Sequence, residues 1–309
     1  MTPFGYRPRH LVEYAALRGF AAVARCLPYR AALAWAWLHA ALFFHVFRFR
    51  VAEVRGRIRA AFGGRYTSRE MNRIAWQSWR NMCFNAVELL RLRPEDPDSL
   101  PPHIDADATI ARAREHVATG RGAVFACPHF GNWELAGLLI PHSGIEMFTV
   151  TGVMKNPLVQ RYIQRIRHAP NVALVERGRG GIRTIIRNLK AGQVMALMPD
   201  LRSRLPGVPV RFLGGVANTY PGMGAFARQA GVPVFLGVMR RESWTRHRFD
   251  HYGPYEPDPA CDKEADIARL TQAVFDDIER IIREDPGQWF WFNKRWILEP
   301  LPGAHADAG

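Results

Sequence analysis

The chain has 309 residues, 48% of them hydrophobic and 23% charged. That balance excludes a disordered, collagenous or low-complexity protein, and a chain this long buries roughly 75% of its unfolded surface without disulfides or metals. The 42 Lys and Arg against 28 Asp and Glu give +14, a field suited to anionic headgroups, phosphorylated substrates, an acidic protein or nucleic acid.

Residues 1–100 read as nearly continuous helix. Within them Ala31–Phe47 is a run of 17 residues without Asp, Glu, Lys or Arg, closed by Arg30 on one side and Arg48 and Arg50 on the other. That length is the lower limit for spanning a hydrocarbon core of about 30 Å. Trp35, Trp37 and the Phe cluster suit a membrane interface, while His39 and His45 weaken a full span. A monotopic anchor with one face in the leaflet fits as well, and a buried core helix is the competing reading. The preceding 30 residues are too long and helical for a signal-peptide leader. Membrane attachment is the expectation. Thr67-Ser68-Arg69-Glu70 has the pattern of a capping box, and the Pro-rich stretch 94–102 marks a boundary.

Beyond it the pattern becomes alternating strand and helix. Strands are expected at Ala123–Cys127, Met147–Val153, Val172–Val175, Val194–Met198 and Val232–Val238. Between them lie helical stretches at Trp133–Ile140, Leu158–Arg167, Ile182–Leu189 and Gly222–Gln229. Ile267, Leu270, Val274, Ile278 and Ile281 then mark one face of a late helix. The fold class expected is α/β: a mixed or parallel central sheet flanked by helices, with an N-terminal helical membrane-anchoring region. The expected domains are a helical region 1–100, an α/β domain 101–300 and a disordered tail 301–309.

One segment carries chemistry. In Gly122–Gly137 an apolar strand runs into Cys127-Pro128, His129 follows at once, and a helix starts near Asn132 or Trp133. His129 and Glu134 are five apart, about 140° around a continuous helix. They converge only if His129 sits in the strand-to-helix turn and Glu134 in the first helical turn. Gly131 and Asn132 suit that bend. A histidine held by a carboxylate is a general base, because the acid fixes the tautomer and stabilises the imidazolium. No G-x-S-x-G elbow is present, which favours direct deprotonation of an acceptor hydroxyl. The competing reading is a surface His followed by a Glu that favours the helix dipole.

The string His129-Phe-Gly-Asn-Trp-Glu134 resembles the H-x4-D/E signature of the lysophospholipid acyltransferase superfamily. More narrowly, it is similar to the bacterial lipid A biosynthesis lauroyl/myristoyl acyltransferases, which use Glu. The resemblance covers most of the chain. Asn156-Pro157-Leu158 with Arg165 looks like the family's arginine segment, and Gly178–Gly192 like its following helix. Met198-Pro199-Asp200 looks like its strand-end aspartate, with Leu201 where Gln or His is usual. Val208–Gly215 looks like its acceptor-side loop. Pro286–Trp296 resembles its C-terminal signature, with Asn293 in place of the usual His.

The resemblance implies transfer of a fatty acyl chain from acyl-carrier-protein or acyl-CoA to a hydroxyl of a membrane lipid, with no cofactor and no metal. The lipid would be a lipid A precursor, or else a lysophospholipid or phosphoinositol glycolipid. It implies a bacterial inner-membrane location with the catalytic domain on the cytoplasmic face. His129 would be the base and Glu134 its orienting partner. Gly131, Asn132, Trp133, Arg165 and Asp200 would bind substrate. Arg165 is the first choice for oxyanion or phosphate, ahead of Arg167, Arg177 and Arg179. Asp200 would hold Arg165 or an acceptor hydroxyl, unless it is a turn cap. A non-catalytic lipid-binding protein is the reading from another class.

The remaining candidates are weaker. Trp289, Trp291 and Trp296 fit a membrane interface or packing on the sheet. His103, His142, His168, His247 and His251 show no metal spacing, and the four cysteines form no C-x-x-C pair. Cys127 reads as strand packing. No helix-turn-helix, RNP or basic-leucine pattern supports nucleic-acid binding.

Overall fold

The protein is described by a computed structural model over residues 6–93, 96, 99–150, 154–167, 171–175 and 181–298. Arg177, Arg179, His168 and the tail 301–309 lie outside the described residues. Helices α1 (Pro8–Cys26), α2 (Tyr29–Ala41), α3 (Val51–Phe62) and α4 (Ser68–Arg91) come first, α2 continuing into a π-helical turn at Leu42–Val46. Then follow β1 (His103–Asp105), α5 (Asp107–Ala118), β2 (Ala123–Ala126), α6 (Trp133–His142), β3 (Met147–Val150), α7 (Pro157–Arg167), β4 (Val172–Val175) and α8 (Gly181–Lys190). The chain continues through β5 (Val194–Leu197), β6 (Val208–Phe212), β7 (Gly215–Thr219), α9 (Gly222–Ala230), β8 (Val234–Arg241), β9 (Arg246–Tyr255) and α10 (Lys263–Glu284).

Seven strands form one sheet in the order β1-β9-β8-β2-β5-β3-β4, and β6 and β7 form a separate antiparallel pair. Every neighbouring pair in the large sheet is parallel except β8 and β9. The fold is thus the expected α/β class with a mixed, mostly parallel sheet. Its central strand β2 is buried at all four positions and reads as an unbroken apolar run, as a strand covered on both faces must. Ile267, Leu270, Val274, Ile278 and Ile281 of α10 are all buried, as their spacing predicts.

The helical first third shares this core. Val54, Ile58 and Phe62 of α3 and Met71 and Ile74 of α4 pack with Val124, Phe212 and Phe275. Thr67 caps α4 through a capping box with Glu70. The apolar run 31–47 divides by face. Ala32, Leu33 and Ala36 pack with Phe84 and Val87 of α4, whereas Leu38, Phe43, Val46 and Phe47 face outward, Val46 67% exposed. Among the described residues no single helix is long and apolar enough to cross a membrane. The pair Tyr29–Val46 and Val51–Phe62 passes by length and composition but bends by 86°.

Candidate active site

The site follows from the register of two neighbouring parallel strands. Ala126 ends β2 opposite Leu197, which ends β5. His129 and Asp200 each lie three residues beyond that pair, so the sheet delivers them side by side at its carboxyl edge, where open α/β sheets build their sites. The His129 Nδ1 lies 2.8 Å from Asp200 Oδ1. Asp200 Oδ2 accepts two further bonds, from the His129 backbone N–H and from the Trp289 indole N–H, each at 2.8 Å.

Asp200 is buried, which by itself raises its pKa. The His129 charge and the hydrogen bonds from His129 and Trp289 outweigh burial and hold it below the usual carboxylate range. An ionised Asp200 accepts from Nδ1–H and so selects the tautomer with a bare Nε2. That nitrogen has no hydrogen-bond partner among the described residues. The ring itself is 13% exposed, so Nε2 remains open to a reactant. Trp133 meets the ring edge-on at 5.1 Å between centroids.

The expected orienting partner is therefore corrected. Glu134 does not hold His129; its two carboxylate oxygens are engaged by the Arg167 guanidinium at 2.9 and 2.5 Å. Both belong to helices at this edge, Glu134 in the first turn of α6 and Arg167 in the last turn of α7. Arg165 is exposed and points away from that pair, because residues two apart on a helix differ by about 200°. The buried positions Tyr162 and Ile166 fix which face of α7 is inward. Arg167 is thus the cation that the helix brings to the edge, and Arg165 is not.

Gly131 and Asn132, expected to bind substrate, are instead buried parts of the turn. Gly131 is left-handed at φ +57°, and a Cβ there would meet the Met239 carbonyl oxygen at 1.7 Å. Asn132 is wholly buried; its Oδ1 accepts from the Leu135 N–H and its Nδ2 donates to Glu88 Oε2 at 2.7 Å. Asn156 likewise serves packing, donating to His10 O and Glu13 Oε2 of α1. Cys127 is buried, and burial pushes its thiol far up, so it stays protonated and inert.

Several groups had no clear signal in the sequence. Trp289, Trp291 and Trp296 are buried, which decides for packing over a membrane interface. Trp289 also serves the site directly through Asp200. The Val208–Gly215 segment is a hairpin packed on α10, with Leu213 N–H on Glu279 and Arg211 N–H on Gln272.

Residues 1–297 match the family described as bacterial lipid A biosynthesis acyltransferase. A phosphatidylinositol mannoside acyltransferase of Mycobacterium tuberculosis is 27% identical over 187 residues, 59% of this chain and 57% of that protein. Its counterpart in Mycolicibacterium smegmatis is 25% identical over 215 residues, 69% of this chain and 68% of that one. A lipid A biosynthesis acyltransferase of Haemophilus influenzae is 23% identical over 184 residues, 57% of this chain and 55% of its own. The match thus spans little more than half the length of the Mycobacterium tuberculosis and Haemophilus proteins.

Proposed function

The chain belongs to the bacterial lipid A biosynthesis acyltransferase family, and from that premise we propose that it transfers a fatty acyl chain from a thioester donor to a hydroxyl of a membrane glycolipid. The observation that carries this reading is the His129–Asp200 pair at 2.8 Å with Nε2 left open. His129 Nε2 removes the proton of the acceptor hydroxyl as its oxygen attacks the thioester carbonyl. The tetrahedral intermediate collapses, the new ester C–O bond remains, and the C–S bond breaks. The departing thiolate takes the proton back from Nε2–H. Asp200 stays ionised throughout and stabilises the imidazolium between the two transfers. The Arg167–Glu134 pair supplies a cation at the rim, its Arg side chain 51% exposed, for a substrate phosphate or the developing oxyanion.

The acceptor is read as a lipid A precursor and the donor as acyl-carrier-protein or acyl-CoA. The matches to two phosphatidylinositol mannoside acyltransferases favour a second acceptor, a mannosylated phosphoinositol. The location read for it is the cytoplasmic face of the bacterial inner membrane; membrane contact as such is supported by the outward apolar side chains Leu38, Phe43, Val46 and Phe47. A binding protein without turnover does not require an oriented histidine with a free nitrogen.

The test is acyl transfer by membranes carrying the protein or its His129→Ala variant, supplied with both donors. Mass spectrometry would follow a tetra-acylated lipid A precursor and a phosphatidylinositol mannoside. An ester gained by either, with the unaltered protein only, supports the reading and chooses its acceptor. Lipid binding without any new ester would overturn it.

A further inference from the structure

Beneath the His129 turn lies a buried polar cluster that the chemistry above does not use. Asn85 and Glu88 of α4, Asn132 of the turn and Arg241 at the end of β8 are each at most 6% exposed. Arg241 forks onto Glu88, with Nη1 3.0 Å from Oε1 and Nη2 paired to Oε2, and it also donates to Asn85 Oδ1 at 2.9 Å. Asn85 Nδ2 donates to the Gly131 carbonyl at 2.6 Å, and Glu88 Oε2 accepts from Asn132 Nδ2 at 2.7 Å. Tyr29 of α2 donates to Glu88 Oε1 at 2.5 Å without touching the turn.

A buried ion pair gains little over apolar packing for stability alone, so its position is informative. Here the cluster grips two of the three residues between the base and α6, Glu88 holding the Asn132 amide and Asn85 the Gly131 carbonyl. The other backbone groups of the turn are held by different strands and loops: His129 O by Phe290 N–H, Gly131 N–H by Gln288 O, Asn132 N–H by Met239 O. α4 fixes the Gly131 carbonyl and the Asn132 side-chain amide. Asn132 is also the cap of α6, which starts with Trp133 against the His129 ring. Its side-chain amide ties the cap of α6 to Glu88.

We infer that Asn85 and Glu88, braced by Arg241, are positioning residues that hold the catalytic turn and thereby the His129 ring from below. The inference rests on His129 being the base. It gives the N-terminal helices a part in catalysis as well as in any membrane contact. Placement of this kind is steep in its effect, because a shift of about 1 Å at a reacting group costs up to roughly a hundredfold in rate.

The test compares Asn132→Ser with Tyr29→Phe, using palmitoyl-CoA and the acceptor that gains an ester in the experiment above. Serine retains the cap of α6 and loses Glu88; the Tyr29 change removes a bond to the same carboxylate away from the turn. For Asn132→Ser, kcat should fall between about 10- and 100-fold with KM for both substrates within about twofold. For Tyr29→Phe, kcat of the folded protein should stay within about twofold at a comparable loss of melting temperature. If Asn132→Ser does not fold, Asn85→Ser is measured by the same criteria. Equal activity losses that track the unfolded fraction in both variants would overturn the inference, as would a change confined to KM. Retained transfer by His129→Ala would instead overturn the base assignment on which the inference stands.

Discussion

Asp200 and Glu134 flank the turn that carries His129, one from the end of β5 and the other from the start of α6. Their surroundings differ. Asp200 is buried and accepts three hydrogen bonds, two of them from His129 itself. Glu134 is at the rim and is occupied by a half-exposed Arg167. A carboxylate fixed from three sides in a low-dielectric setting can hold a tautomer and stabilise an imidazolium without rearranging. One that shares a solvated arginine can arrange charge for an incoming anion. On the proposed function, the two acids divide orientation from substrate handling.

The largest break in that division is at the base itself: His129→Ala should lower kcat by about 10⁴-fold while leaving the fold intact by circular dichroism. Arg167→Ala should cost about tenfold in kcat/KM, mostly through KM, since one charge-assisted contact to an anion is lost. Trp289→Phe removes one of the three donors to Asp200 and should cost about 1 kcal/mol of stability in urea denaturation, with a smaller loss of activity. Arg165→Ala should change kcat/KM by no more than about twofold, because the side chain is exposed and faces away.

A pH measurement separates the buried cluster from the site. Burial lowers the His247 pKa from its ordinary 6.5 to about 4, against the opposing pull of Glu88. The unfolded chain then binds more protons between these values, so stability present above pH 6.5 is lost as pH falls toward 4. At about 1.4 kcal/mol per pH unit this amounts to about 3 kcal/mol. His247→Gln should flatten that slope in chemical denaturation. An unchanged slope would move its origin to other groups.

Legibility in the sequence followed physical range. β2 and β5 were readable because strands covered by helices are short apolar runs; β4 is a similar apolar run although it is the edge strand and its middle residues are exposed. β9 was not readable: Arg246–Tyr255 carries two Arg, two His and a Pro, and its strand character comes from pairing with β8 and β1. β6 carries a signal of its own, since Val208, Val210 and Phe212 alternate inward with exposed Pro209 and Arg211. His129 was readable because Pro, Gly and Asn stop a strand and start a helix around it. Its carboxylate was not, because the local candidate lies five residues away whereas Asp200 lies 71 away and is delivered by the β2–β5 register. Of the two candidate arginines of α7, Arg167 is the one paired with Glu134, and Arg165, two positions away, lies on a different face of the helix. The Asn85–Glu88–Arg241 cluster left only polar residues on an otherwise apolar face of α4, and its meaning needed Arg241 from the far end of the chain.

The central claim is that Asp200, and not Glu134, orients His129. The most direct measurement is kcat for Asp200→Asn and Glu134→Gln side by side, with donor and acceptor saturating. Asparagine keeps the shape of Asp200 but cannot hold the tautomer with its negative charge, so kcat should fall by about 10³-fold. Glu134→Gln, which only weakens the grip on Arg167, should stay within about tenfold. A large loss at Glu134 with near-normal turnover in Asp200→Asn would contradict the account.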